Sequence, residues 1–531
     1  MSDEVSKGIV ARFRTQTAQP VQAAAAARRD VVAAKPPPAP DDRPSLDELM
    51  SRGQPAPTVA ANPSAADQYL TVMNNRHAII DNVGGKTVIA SWEPSQLDPT
   101  KEVLVYHLKD SFMLRYSNHT VPVDVPNRVG GFNTEMQDLG KWWLKHRGRR
   151  QYRSVVFHPG GPQVVNDCLN LWRCWGVEGT AGDWSLIYRH IVDVVAKGNA
   201  EHAEYIIRWI AWSIQNPDRQ AEVALVLIGE KGAGKGTLAE CLRRIFGVHA
   251  FKVSSSEEVV GRFNGHLQDC VLLIADEAFW GEKHKACAGR LQGMITEATL
   301  AIEPKGIGIF QIRNCLHIIM LAEPGWVIPA GRNERRYAAF DVSTQYRGDR
   351  SYFRALHQQI EGDGPAAMFH DLTQLDLDSW HPREVPESIL KGAALQKQQS
   401  RSLPAEEQWY LGLLHDGRLP GALEKRPNTT YTTNLLADAQ EKSPRLRYLT
   451  SEALRNFLTD EERIGIACDK HHDSKRNGWA FPPLAECRAA WVRIYGPVNW
   501  DTPAGDWGGS LPPVAVLDLI PAALPAPYRR F

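Results

Sequence analysis

Val223–Phe246 reads VALVLIGEKGAGKGTLAECLRRIF. It opens on an unbroken apolar run, Val223–Ile228, of the length of one buried parallel strand. The run breaks at Gly229, and three more glycines follow at Gly232, Gly234 and Gly236. Apolar residues then return at helical spacing, Leu238, Leu242, Ile245 and Phe246, with Gly247 placed to end the helix. Strand, glycine loop and helix together are what a triphosphate needs. Glycines let backbone N–H groups turn inward, and the helix start adds its positive dipole end. Gly229, Glu230, Lys231, Gly232, Ala233, Gly234, Lys235, Gly236, Thr237 and Leu238 are therefore the candidate nucleotide-binding residues, with Lys235 reaching the β- and γ-phosphates. The usual pattern has a hydroxyl directly after the lysine to hold Mg²⁺; here Gly236 stands there and Thr237 comes one residue later. Some nucleotide kinases share G-K-G-T, so the loop by itself does not separate a kinase from a motor. A chance glycine turn would not come framed by a buried strand and an amphipathic helix.

A second apolar strand, CVLLIADEAFW from Cys270, ends in Asp276-Glu277. An acidic pair closing a buried strand one βα unit after a phosphate loop suits Mg²⁺ binding by Asp276 and water activation by Glu277. Arg262-Phe263-Asn264, between the two, is expected to support the nucleotide pocket. The stretch ATLAIEPKGIGIFQIRN reads as a β-hairpin with Pro304-Lys305-Gly306 at its tip. A third apolar strand, LHIIMLAEP, precedes GRNERRYAAFDVS, in which Arg335 and Arg336 lead into a further strand. Paired arginines at a strand edge suit γ-phosphate contact across a subunit boundary, an arrangement worth roughly 10³ to 10⁵ in rate.

In this order, these elements resemble the superfamily 3 helicases of small DNA viruses, phages and plasmids, a branch of the AAA+ ATPases that works as hexameric rings. More narrowly, the chain resembles the helicase domain that phage and plasmid replication proteins carry behind a primase-polymerase. WWLKHRGRRQYRSVVFHPGG, NLWRCWG, WIAWSIQNPDRQ and RNGWAFPPLAECRAAW extend the likeness over about Tyr69 to Trp500. The resemblance implies ATP and Mg²⁺ as cofactors, with phosphate and metal on Lys235, Thr237 and Asp276. It implies hydrolysis by Asp276 and Glu277, a finger from Arg335 or Arg336 on the neighbouring subunit, and DNA translocation by Lys305. The implied partners are single-stranded or forked DNA, further copies in a homo-hexamer, and a separate primase or polymerase. The setting would be a bacterial host's cytoplasm. The third strand ends in Ala322-Glu323, where the superfamily places a polar sensor Asn.

The 531 residues suffice for several domains, and a net charge of +0 confines any DNA-binding surface to local patches. No apolar run approaches the roughly 18 to 20 residues of a membrane span, so no membrane is implied. The N-terminus shows no signal-peptide core. The eight cysteines form no CxxC pair and no zinc spacing, which suits a reducing compartment. The expected fold is α/β: a P-loop AAA+-type ATPase core with an N-terminal α+β domain and a C-terminal helical, winged-helix-like domain. Residues 1–66, rich in Ala and Pro, are expected to be a disordered tail, too short and polar to form a primase. Residues 67–200 make the N-terminal domain and collar, 201–345 the core, 346–402 a helical extension, 403–500 the winged-helix-like domain and 501–531 an irregular Pro-rich tail. Short strands are expected at HAIIDN, KTVIASW, EVLVYHL and DSFMLRYSN, with a turn at Gly84-Gly85, and a helical texture from Phe132. The tryptophans there are expected in the core rather than stacked on bases. In the C-terminal domain Lys470, Lys475 and Arg476 would sit on a wing, either touching phosphates or forming a charged, solvated surface loop.

Two other classes remain open on sequence. One is a nucleotide-gated DNA-binding or loading factor with little turnover. The other is a nucleotide kinase, for which no lid segment is evident.

Overall fold

The computed structural model describes residues 65–94, 102–127, 130–255, 257–258, 261–277, 288–325, 328–331, 334–473, 476–496, 498, 500–501 and 506–508. The expected N-terminal tail, all but its last residues, and most of 501–531 lie outside them, as does Lys475. The chain divides into two compact units. One runs to Ile328 and resumes over Arg335–Leu395; the other takes Pro329–Glu334 and everything from Gln396.

The first unit begins with helix α1 (Ala65–Arg76) and the antiparallel strands β1 (His77–Val83), β2 (Lys86–Pro94) and β3 (Glu102–His107). The β1–β2 turn falls at Gly84-Gly85, both with positive φ. The fourth expected strand is instead a helix, α2 (Lys109–Arg115). Phe112 and Tyr116 share one face and are buried, with ring centroids 5.0 Å apart, whereas Leu114 between them is 76% exposed. Alternation would have buried Leu114 too; the period is helical. The expected helix from Phe132 likewise starts later. Strands β4 (Thr120–Pro126) and β5 (Phe132–Asp138) pair first, and α3 (Leu139–Lys145) follows. Trp143 and Trp209 are fully buried and Trp142, Trp172 and Trp212 nearly so, as expected of core residues.

The centre of this unit is a parallel sheet of β6 (Ala224–Ile228), β7 (Ala250–Val253), β8 (Leu272–Asp276), β11 (His317–Ala322) and β12 (Tyr337–Asp341), in the order β7-β8-β11-β6-β12. Between β8 and β11 the chain forms α7 (Ala288–Thr296) and a hairpin of β9 (Thr299–Ile302) and β10 (Phe310–Arg313). Every residue of β6 and β11 is buried, which is why both read as continuous apolar runs. Ahead of the sheet stand α4 (Ser185–Arg189), a π-helical segment His190–Val195, and α5 (Ala200–Gln215). Trp209 on α5 donates its indole N–H to the Val223 carbonyl at 2.9 Å and so ties that helix to the start of β6. α6 (Lys235–Phe246) follows the glycine loop, and α8 (Arg350–Glu361) and α9 (Gly364–Gln374) complete the cover.

The second unit holds α10 (Ala405–Asp416), β13 (Thr429–Tyr431), α11 (Thr432–Lys442), α12 (Ser451–Leu458), β14 (Asp469–Asp473), β15 (Arg476–Ala480) and α13 (Leu484–Tyr495). Its sheet order is β13-β15-β14, antiparallel throughout. The order in this unit is therefore helix, strand, two helices and a two-stranded hairpin whose second strand pairs with the first strand. Trp409, Tyr410, Phe457, Phe481 and Trp491 form its separate core. No described helix is long and apolar enough to cross a membrane.

Candidate functional site

The sheet order builds the site. β11 lies between β6 and β8, with Ile228 opposite Ala322 and Asp276 opposite Leu321. The carboxyl ends of all three strands open into one cavity of about 420 Å³. Open α/β sheets bind ligands at that end. Its lining includes Lys231, Gly232, Gly234, Lys235, Gly236 and Thr237 from the loop and helix, Asp276 at the end of β8 with Glu277 just after it, and Ala322 at the end of β11 with Glu323 just after it. Gly234 caps α6 with φ +104, a backbone that side-chain-bearing residues rarely adopt. Ala233 and Leu238 turn their side chains into the core, so only their backbone faces the loop.

Lys235 folds back onto the loop: Nζ donates to the Gly229 carbonyl at 2.5 Å and the Glu230 carbonyl at 2.9 Å. Burial lowers its pKa, while Glu323, Asp276 and Glu277 pull the other way. The Lys252 ammonium on β7 lies 2.6 Å from Asp276 Oδ2, so that carboxylate already has a cationic partner. Glu277 holds φ 57, a left-handed backbone costing about 1–3 kcal/mol in a side-chain-bearing residue, and its N–H donates to the Leu321 carbonyl at 2.9 Å. Arg347 pairs with Glu230 at the rim. Oxygen donors on Thr237 and Asp276 beside an inward loop and a lysine form a set that suits a nucleoside triphosphate with a hard divalent cation.

Three lining or supporting residues escaped the sequence reading. His190, at the start of the π-helical segment, sets Nε2 3.0 Å from the Gly234 carbonyl and Nδ1 2.9 Å from the Tyr352 hydroxyl. Burial pushes its pKa down to about 4, against the raising effect of the Gly234 bond. Phe353 and His357, one turn apart on α8, line the same cavity. The available signal for His190 was a polar residue inside the apolar stripe Ile187, Ile191, Val194.

Other predicted residues lie elsewhere. Arg335 and Arg336 precede β12 at the amino end of the sheet, where the Arg336 carbonyl accepts from Ala224 N–H. Five strand residues separate that edge from the cavity, about 15 Å. Arg262-Phe263-Asn264 does not support the nucleotide pocket: it clamps the β9–β10 hairpin. Asn264 Nδ2 donates to the Ala301 carbonyl at 2.8 Å, its Oδ1 accepts from Glu303 N–H at 2.8 Å, and Arg262 pairs with Glu303 at 3.0 Å. Phe263 is left exposed, with the Arg262 guanidinium 5.8 Å from its ring centre. Lys305 is exposed in the hairpin loop. In the second unit Lys470 is exposed on β14, and Arg476 on β15 lies 5.1 Å over the Tyr431 ring.

With that geometry in hand, the fold has solved counterparts. Two apo structures of the C-terminal region of NrS-1 match with TM-scores of 0.50 and 0.51 at 15% identity, covering 79% and 78% of this chain and 99% and 98% of those chains. The sequence agrees: 236 residues, 43% of this chain, are 23% identical to the DNA primase-polymerase of Nitratiruptor phage NrS-1. The match takes in 32% of that relative's length, so the chain spans about a third of it. A family described as of unknown function, DUF5906, matches residues 227–336, from the glycine-loop strand to the arginine pair.

Proposed function

We propose that this chain is an ATP-driven DNA helicase or translocase of a phage or mobile-element replication system, built on a P-loop AAA+-type core of the superfamily 3 kind. The observation that carries the reading is the convergence of Lys235, Thr237, Asp276, Glu277 and Glu323 on one cavity at the carboxyl ends of three adjacent parallel strands. The strand order, with the third apolar strand inserted between the glycine-loop strand and the acidic one, supports it.

Lys235 exchanges its loop carbonyls for β- and γ-phosphate oxygens, a charge-assisted contact about twice as strong as the neutral one. Thr237 and Asp276 would hold Mg²⁺, which neutralises charge on the transferring phosphoryl group. Glu277, backed by the Leu321 carbonyl at its own N–H, orients a water and takes its proton. Arg335 or Arg336, remote from their own cavity, would serve a neighbour's in a ring. Lys305 contacts single-stranded DNA. The winged-helix unit, with Lys470 and Arg476 on its wing, contributes phosphate contacts.

Steady-state ATP hydrolysis by the wild type and Glu277→Gln, with and without single-stranded DNA, tests the motor. DNA should stimulate the wild type, and the variant should fall by on the order of 10²-fold or more. A second reading, a nucleotide-gated loading factor, draws on Gly236 and on Ala322 at the sensor position. ATP binding without turnover by the wild type would favour it and overturn the motor.

A further inference from the structure

The β1–β2 turn and the β9–β10 loop, more than two hundred residues apart in sequence, touch at their tips. Gly84 and Gly308 lie backbone to backbone: a Cβ on Gly84 would overlap the Gly308 carbonyl, and a Cβ on Gly308 would overlap the Gly84 carbonyl. Next to this joint Lys86 donates Nζ to the Gly306 carbonyl at 2.8 Å. Gly306 directly follows Lys305, so two ammonium groups are carried at one joint.

Neither is neutralised. Lys86 and Lys305 are both exposed, and among the described residues neither has a carboxylate partner. The acidic side chains nearest in sequence on the two hairpins are engaged elsewhere. Glu303 is paired with Arg262, and Asp81 accepts from Gln151 Nε2 at 2.8 Å. The joint is also held firmly from below, through the Asn264 bonds to Ala301 and Glu303. Two lysines on one braced joint, with the neutral Gly306 carbonyl accepting from Lys86, make a surface that an anion completes. The exposed ring of Phe263, beside Arg262 on the segment that clamps the hairpin, adds an apolar face of the kind bases stack on.

We propose that the two tips form one composite grip for the phosphates of single-stranded nucleic acid, with Lys86 of the N-terminal sheet as its second cation. This rests on reading the Lys305 hairpin as a DNA contact and extends it to the N-terminal sheet. On binding, Lys86 Nζ exchanges the Gly306 carbonyl for a phosphate oxygen, and the Gly84–Gly308 contact keeps the two ammonium groups in step.

The test uses the full chain and a fluorescently labelled oligothymidylate, with affinity measured by anisotropy across a salt series. Lys86→Ala and Lys305→Ala should each weaken binding by roughly 3- to 10-fold and lower the salt slope by about 0.7, the value for one lost single-strand phosphate contact. Lys86→Arg should retain the wild-type slope. Gly84→Ala, which removes no charge but forces the tips apart, should also weaken binding. If Lys305→Ala weakens binding while Lys86→Ala changes neither affinity nor slope, the composite grip is overturned and the hairpin reading stands. If neither variant matters, or the wild type does not bind the oligonucleotide, both fall.

Discussion

Replacing His190 by Phe tests how the glycine loop is held. The Gly234 carbonyl can only accept, so Nε2 of His190 carries the proton and Nδ1 accepts from the Tyr352 hydroxyl. The ring is neutral at pH 7, since burial puts its pKa at about 4. Phenylalanine keeps the ring's bulk but strips both bonds, leaving a loop carbonyl and a tyrosine hydroxyl to find other partners. A buried group left unsatisfied costs about 1–3 kcal/mol. Tyr352 is half-buried and can turn partly to water, so the expected total is about 2–4 kcal/mol. Part of this should appear in the loop itself, as a nucleotide affinity lower by about 10-fold, which corresponds to about 1.4 kcal/mol. His190→Gln, with one donor and one acceptor, should recover part of that loss. A fluorescent adenine nucleotide reads the affinity, and thermal unfolding of the same samples reads the stability. If His190→Phe binds nucleotide as the wild type does and unfolds at the same temperature, the ring does not hold the loop and the argument fails.

Gly236→Ser should be tolerated, because a Cβ there meets nothing within 4 Å and the site needs no left-handed backbone. It should raise stability by about 0.5 kcal/mol through helix propensity and leave the Mg²⁺ concentration that half-saturates hydrolysis unchanged, because Thr237 already supplies the hydroxyl; a lower Mg²⁺ requirement would show that Thr237 does not. Acid should destabilise the first unit. His190, His249 and His317 are pushed down to about 4 and His77 to about 3, all mainly by burial. They stay neutral when folded but take up protons when unfolded below about 6.5, so stability is lost as pH falls from there towards 4, at about 1.4 kcal/mol per pH unit for each histidine. Asp269, pushed up to about 7 by burial, opposes them as a single group. Melting temperature measured from pH 7 to pH 4.5 should therefore fall steeply below 6.5, and a flat profile would contradict the burial of these rings.

Much of the core was legible because its signals are local. An apolar run of five or six residues, a glycine cluster, and apolar residues at helical spacing each declare themselves within a turn or two. That is why β6, the loop, α6, β8 and β11 were readable from Val223–Phe246 and the two strands after it. The same local logic misread Asp110–Asn118, where Phe112 and Tyr116 fit either period and only the exposed Leu114 decides between them. Pairing between distant segments had no such signal. Nothing around Ala322 tells that β11 slots between β6 and β8 and so brings Glu323 to the cavity. Nothing around His190 tells that its ring reaches Gly234. Asn264 could equally have served the nucleotide pocket until the hairpin was seen packed on it. Local backbone preference follows from neighbours in the chain. Which segments meet follows from how the apolar faces of the whole unit can be buried together, and only the tertiary structure settles it.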